Sequence, residues 1–304
     1  MNPSRREVLA GASAGLFIAG CAGNPRLSSA PLGLPIGIQA FAVSAELERD
    51  FQGTLARLAE IGYREIEMAP PQGRTAAQTR AALDQAGLAC PSVGIIVVGP
   101  NPDISRQLDG ANILGARFVM TPVPPFSNPF AGRPEDFFAN YIGPLTVETW
   151  RHMIDRLNGI GQACRAAGLQ LCYHNHNFEF RAFDGFVPYD ELLRGTDADL
   201  VKMEMDVGWL VAAGRDPVAY LDAYPGRYPL LHVKDLKAGF RPNVELHVDA
   251  TEVGSGVVDW VRVFRAARRS GLQHYFVEQD PPFVDRPALE AAAISQRYLE
   301  NLRI

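Results

Sequence analysis

Side chains able to grip a divalent cation stand at Glu179, Asp206, His232 and Glu278, separated by 27, 26 and 46 residues. Three carboxylates and one imidazole make a mostly oxygen donor set. Such a set suits Mn²⁺, Mg²⁺ or Co²⁺ and also admits Zn²⁺. Brought together without a cation, the three carboxylates would repel one another and their pKa values would rise. Convergence of the four therefore implies one bound divalent metal ion. There it would act as a Lewis acid on an oxygen-rich substrate. Taken singly, each acid could equally cap a helix, so the inference depends on what brings them together.

The elements that carry them answer that question. Eight short β-type runs recur along the chain, at 36–40, 65–68, 92–98, 118–121, 170–174, 201–206, 230–233 and 275–278. Most are apolar without clean alternation, the pattern of parallel strands buried on both faces. Helical patterns lie between them. One over 51–60 stops at Gly62, Thr75 caps one that ends at Gly87, and Asp103 caps one that ends at Gly115. The longest covers 149–167, Asp216-Pro217 opens another, 259–270 stops at Gly271, and Arg286-Pro287 opens the last. This alternation predicts an α/β fold, a (β/α)8 TIM barrel in a single domain over 35–304. Consecutive strand ends then surround one mouth, and the four side chains meet there. Long loops at 122–148 and 235–258 fall on the same C-terminal face, where barrel active sites lie. A doubly wound open sheet fits less well, because Gln39-Ala40-Phe41 stands where a Gly-rich fingerprint would follow the first strand.

The run Tyr173-His174-Asn175-His176-Asn177-Phe178-Glu179-Phe180 resembles one branch of the sugar phosphate isomerase/epimerase family. So do Asp206-Val207-Gly208-Trp209, His232-Val233-Lys234-Asp235 and Glu252-Val253-Gly254-Ser255-Gly256. That family is the xylose isomerase-like TIM barrel group, which includes ketose 3-epimerases, inosose dehydratases and endonuclease IV. The resemblance covers about residues 35–300. It implies that Glu179, Asp206, His232 and Glu278 hold one metal and that Glu179 and Glu278 form the acid/base pair. Trp209 stands where epimerases usually carry a His three residues after the metal Asp. Six histidines in all and an acidic balance disfavour the endonuclease branch.

Further residues are placed to read a substrate. His174 and His176 alternate with Asn175 and Asn177 and so share a face. Lys234 lies two residues past His232, where it could polarise a substrate oxygen or pair with Glu204 or Asp235. Gln39 and Glu67 end the first two strands, Trp209 offers an apolar wall, and Glu252 opens the second long loop. Phe126, Phe130, Phe137 and Phe138 are expected to pack the 122–148 insertion onto the barrel. The expected activity is metal-dependent isomerisation or epimerisation of a non-phosphorylated keto sugar through an enediolate. The same intermediate serves a lyase, either inosose dehydratase-like or 3-keto-glycoside cleaving. A sugar-binding lipoprotein without turnover is the non-enzymatic alternative.

Composition bounds the partners. With 29 basic and 34 acidic residues the net charge is −5, which disfavours a nucleic acid. Hydrophobic residues at 47% and charged residues at 21% describe an ordinary globular chain. Residues 1–20 read as a twin-arginine export signal, with Arg5-Arg6 followed by a short apolar run. Ile18-Ala19-Gly20-Cys21 reads as a lipobox, so Cys21 is expected to be lipidated and 21–34 to form a tether. The expected location is periplasmic, with the membrane touched only through a lipid anchor. Cys164 and Cys172 are expected to be small buried hydrophobes.

Overall fold

The computed structural model describes residues 30–69, 73–97, 99, 103–125, 140 and 142–304. The expected Cys21 lipidation, the export signal and Phe126, Phe130, Phe137 and Phe138 lie outside them. Barrel strands form at β1 (Gly37–Gln39), β2 (Glu65–Glu67), β3 (Ser92–Gly94) and β4 (Phe118–Thr121). They continue at β5 (Gln170–His174), β6 (Val201–Asp206) and β7 (Leu230–Val233). The loop after β7 carries a short antiparallel pair, β8 (Asp235–Leu236) and β9 (Ala250–Thr251), and β10 (His274–Val277) completes the barrel. The eight barrel strands are parallel, in the order β2-β1-β10-β7-β6-β5-β4-β3. Bridges Glu65↔Ala89 and Met68↔Val93 draw β2 to the β3 side and close the ring, so the fold is a single-domain TIM barrel. The 92–98 run yields a strand of only three residues, and the last strand starts at His274, leaving Glu278 just past its end.

Most helices form where the punctuation places them, but Ser105–Leu114 has Ile104, not Asp103, at its N-cap, and Asp103 instead accepts the Ser105 N–H at 3.0 Å. Asp50 accepts the Gly53 N–H at the start of Phe51–Ile61, and Thr75 and Gln78 form a capping box at the start of Ala76–Ala86. The long helix starts earlier than 149, at Val147, because Thr146 and Thr149 cap it reciprocally. No helix among the described residues is long and apolar enough to cross a membrane.

Strand alternation sorts the side chains into two cores. Ile38, Val93, Val119, Leu171, Met203, Leu231 and Tyr275 face outward and pack under the helices. Phe118, Met120, Cys172, Leu230 and Phe276 face inward and form a separate apolar layer across the barrel. Two residues further along the same strands, on the same side, come His174, His232 and Glu278. The apolar layer is thus the floor beneath the site. Cys90, Cys164 and Cys172 are all free and buried.

Candidate functional site

Above that floor, His174, Asp206, His232 and Glu278 each offer one donor atom, all within 4.8 Å of one another, and all four residues are buried. Ligand bonds of about 2.0–2.6 Å put opposite donors about 4–5 Å apart, so one cation fits this spread. Two imidazoles and two carboxylates suit Zn²⁺ or Mn²⁺ as well as Mg²⁺. Asp206 Oδ2 is buried in the cluster 3.0 Å from Lys234 Nζ, while Oδ1 accepts the Trp209 N–H at 2.9 Å and starts the helix Val207–Ala212. Asp206, Glu278 and Asp280 share that one ammonium, and the negative charge left over is what a cation would balance.

Glu179 does not join them. After His174 the chain leaves the strand and turns through a 3-10 helix, Phe178–Phe180. That turn carries the Glu179 carboxylate back onto its own loop. Oε1 accepts the Tyr173 hydroxyl at 2.8 Å and Oε2 accepts the His176 N–H at 3.0 Å. Burial pushes this carboxyl up to about 8, against the pull of those two donors. His174, on the strand itself, supplies the fourth donor where the sequence pattern pointed to Glu179. The expected acid/base pair is therefore reduced to Glu278 within the cluster.

Charge in the cluster is balanced by a buried ammonium. Lys234 Nζ lies 3.0 Å from Asp206 Oδ2, 3.3 Å from Glu278 Oε2 and 2.7 Å from Asp280 Oδ2. It also lies 4.6 Å from the centre of the Trp209 ring. The side chain fits because residue 208 is glycine: a Cβ there would meet Lys234 Cγ at 2.6 Å. Burial raises the Glu278 pKa, but Lys234 and His232 outweigh it and hold this carboxyl well below its usual range. Burial pushes Asp206 up to about 7 despite Lys234. His232 Nδ1 is 2.7 Å from Glu278 Oε2; burial opposes its charge, but Glu204, Glu278 and Glu67 hold it well above the ordinary imidazole range.

The cluster opens into a cavity of about 760 Å³ lined by His174, His176, His232, Glu278, Asp280, Gln39 and Trp209. Phe41, Ile96, Leu246 and Val248 contribute apolar wall, and His247 and Asp249 bring polar groups from the β8–β9 loop. Burial pushes His176 down to about 3, so its imidazole is neutral, and its Nδ1 is buried with no hydrogen-bond partner. Three expected substrate contacts lie elsewhere. Glu67 is buried below the cluster against His232, and Lys234 is buried behind Asp206 and Glu278. Glu252 turns to Arg286 at 2.9 Å, outside the cavity. Its loop is structural: Asp235 accepts from the Gly254, Gly256 and Val258 N–H groups and from Trp260 Nε1. Sequence reading missed Asp280, two residues past Glu278, and left Glu204 as no more than a partner for Lys234. The parity Glu204–Asp206 and Glu278–Asp280 was the available signal.

A model of the xylose isomerase-like TIM barrel family matches residues 55–302. The inosose dehydratase of Clostridium beijerinckii is 26% identical over 168 residues, 51% of this chain and 55% of that protein. The chain thus matches about half the length of that curated relative. The inosose dehydratase of Clostridium perfringens is 24% identical over 277 residues, 84% of this chain and 90% of that protein. Among solved structures, a sugar phosphate isomerase/epimerase from Parabacteroides distasonis superposes with a TM-score of 0.69 at 23% identity, covering 88% of this chain and 93% of that one. A xylose isomerase-like TIM barrel protein from Mycobacterium smegmatis in complex with magnesium superposes at 0.62 with 17% identity, covering 88% and 95%.

Proposed function

Because the chain belongs to the xylose isomerase-like TIM barrel family, we propose that it is a divalent-metal-dependent enzyme acting on a non-phosphorylated keto sugar or keto cyclitol. It removes the proton beside the carbonyl, and loss of a β-substituent completes a lyase reaction. The observation that carries this reading is Glu278 in the cavity lining beside His232, with the Glu179 carboxylate bonded to Tyr173 and His176 on its own loop. Proton return on an opposite face, which epimerisation requires, then lacks the second glutamate that the resemblance implies; of the other carboxylates lining the cavity, Asp280 is paired with Lys234 at 2.7 Å and Asp249 belongs to the β8–β9 loop. The inosose dehydratase relatives support the same choice.

When bound, the cation supplies Lewis-acid stabilisation to the carbonyl and its neighbouring hydroxyl. Glu278, kept ionised by Lys234 and His232, takes the proton from the adjacent carbon. Lys234 keeps the carboxylates charged from behind rather than touching substrate. Gln39 and Asp280 border the cavity and orient sugar hydroxyls, while Trp209 packs against an apolar ring face. The proton taken by Glu278 passes to the departing oxygen, so that a hydroxyl leaves as water, and the neutral His176 ring lines the cavity beside it.

The second reading is isomerisation or epimerisation, favoured by Asp280, a further carboxylate in the cavity lining that could serve as the opposite-face partner. Proton NMR in heavy water, with Mn²⁺-loaded enzyme for turnover and Mg²⁺ for the spectra, separates them. A lyase yields a dehydrated or cleaved product. An epimerase yields a deuterated epimer. Absence of solvent exchange and of product with every keto sugar and keto cyclitol tried would defeat both. We also propose, from residues 1–21, export by the twin-arginine route to a lipid-anchored periplasmic location.

A further inference from the structure

One layer below the cluster stands a carboxyl outside the lining of that cavity. Glu204 lies on β6 with its side chain fully buried, level with His174 on β5, while Asp206 pairs with His232 on β7. Its Oε2 is 3.2 Å from His174 Nδ1 and also 3.2 Å from His232 Nε2. Glu67 Oε1 joins the same His232 Nε2 at 2.9 Å, and Ser92 Oγ donates to Glu67 Oε2 at 2.5 Å. The two imidazole centres are 4.5 Å apart and tilted by 56°. One carboxylate oxygen thus meets a δ nitrogen on one ring and an ε nitrogen on the other.

A carboxyl costs several kcal/mol to bury. Its neighbour in register on β7 is Leu230 of the apolar layer, so an apolar residue would pack there. Glu204 Oε1 has no hydrogen-bond partner. The contacts that offset the burial of Glu204 are the two imidazoles, while the like carboxyl of Glu67 opposes its charge.

We propose that Glu204 is a positioning residue that locks His174 and His232 in opposite tautomers for metal binding. His174 carries its proton on Nδ1 and offers Nε2. His232 carries its proton on Nε2 and offers Nδ1, the nitrogen that already lies 2.7 Å from Glu278 and 3.9 Å from Asp206. Glu67, held by Ser92, backs Glu204 at His232 alone. A hydrogen bond from the far nitrogen of a ligand imidazole fixes ring orientation and raises ligand basicity, and losing it typically costs about 10–100-fold in metal affinity. The inference rests on the metal-site reading but not on which reaction follows.

The test uses the intact protein. Long-range ¹H–¹⁵N spectra of the histidine rings, in Zn²⁺-loaded protein and assigned with His174→Gln and His232→Gln, report each tautomer directly. Opposite tautomers are expected; a common tautomer for both rings overturns the proposal. Mn²⁺ titration followed by electron paramagnetic resonance then compares wild type with Glu204→Gln, which keeps size, and Glu67→Gln. Affinity should fall about 10–100-fold in Glu204→Gln and less in Glu67→Gln. Affinity unchanged within about threefold in Glu204→Gln overturns it, since the orienting bond would then be idle. Glu67, Glu204 and His232 also offer donor atoms within 4.8 Å of one another. Two bound equivalents falling to one in Glu204→Gln would make Glu204 a ligand and overturn the positioning role. No Mn²⁺ or Zn²⁺ bound by wild type would instead defeat the metal-site reading itself.

Discussion

Replacing Lys234 by Met removes the only positive side chain that touches Asp206, Glu278 and Asp280 together among the described residues. The three contacts are 3.0, 3.3 and 2.7 Å long. At an effective dielectric of about 20, each is worth on the order of 5 kcal/mol before desolvation is counted. Taking the ions out of water costs several kcal/mol apiece, so the net is far smaller. Removing one partner of a buried ion pair typically costs about 3–5 kcal/mol, because the other charges are left behind. For a domain of this size that is a fall in Tm of roughly 6–20 °C in the metal-free protein. The sign with pH follows. Without the ammonium, Asp206 and Asp280, already above their unfolded values, rise further, and Glu278 loses the charge that holds it low. Their contribution to stability is therefore intact below about pH 4 and is lost as pH rises through the folded values. The deficit of Lys234→Met should shrink at pH 5 and be full at pH 8. A divalent cation supplies the missing charge, so saturating Mn²⁺ should raise the Tm of the variant more than that of wild type. Scanning calorimetry at pH 5 and 8, with and without Mn²⁺, reads all four values. Equal Tm for variant and wild type without metal, or equal metal increments, would refute the assignment of Lys234 as the counter-charge.

The Glu179 pKa, raised by burial to about 8, means that its stabilising contribution is present below about pH 4.5 and lost as pH climbs through 8. Glu179→Gln should therefore flatten the decline of Tm between pH 5 and 9 while leaving Mn²⁺ affinity within about threefold, since its carboxylate lies outside the cluster; a 10–100-fold loss would restore it as a ligand. Glu278→Gln should lower turnover about 10²–10⁴-fold and abolish deuterium exchange into substrate, the range expected for a lost general base; exchange at the wild-type rate would move the base elsewhere. In Gly208→Ala the new Cβ meets Lys234 Cγ at 2.6 Å and the Lys234 carbonyl oxygen at 2.8 Å, so chemical denaturation should show a loss of about 1–3 kcal/mol. For Cys21→Ala, labelled fatty acid should no longer be incorporated in the producing cell; labelling that persists would place the lipid on another residue.

What could be read in the sequence was what depends on short range and on alternation. Strands β4 to β7 stand at the expected boundaries, where Pro122 follows β4, Gly168 precedes β5, Asp206 ends β6 and Pro229 precedes β7. The barrel followed from the beat of the runs, and closure then brought Asp206, His232 and Glu278 together from three strands. Glu179 failed for a local reason. It lies five residues past His174, beyond the strand, so the period that aims His174 inward says nothing about it. A 3-10 turn between Phe178 and Phe180 was free to fold its carboxylate onto Tyr173 and His176. His174 carried the better signal, since it shares the parity of Cys172, which belongs to the inner apolar layer. The same parity marks Glu204 two residues before Asp206, and burial there is intelligible only through the rings beside it. Lys234 was placed on the correct side but at the wrong depth. Its depth is set by Gly208 on a different βα unit, a contact that no reading along a single strand contains. The chemistry of the site is thus written in residue type and parity. Which atoms face substrate and which face each other is decided by turns and by missing side chains on neighbouring units, and the acid/base assignment changes hands at that level.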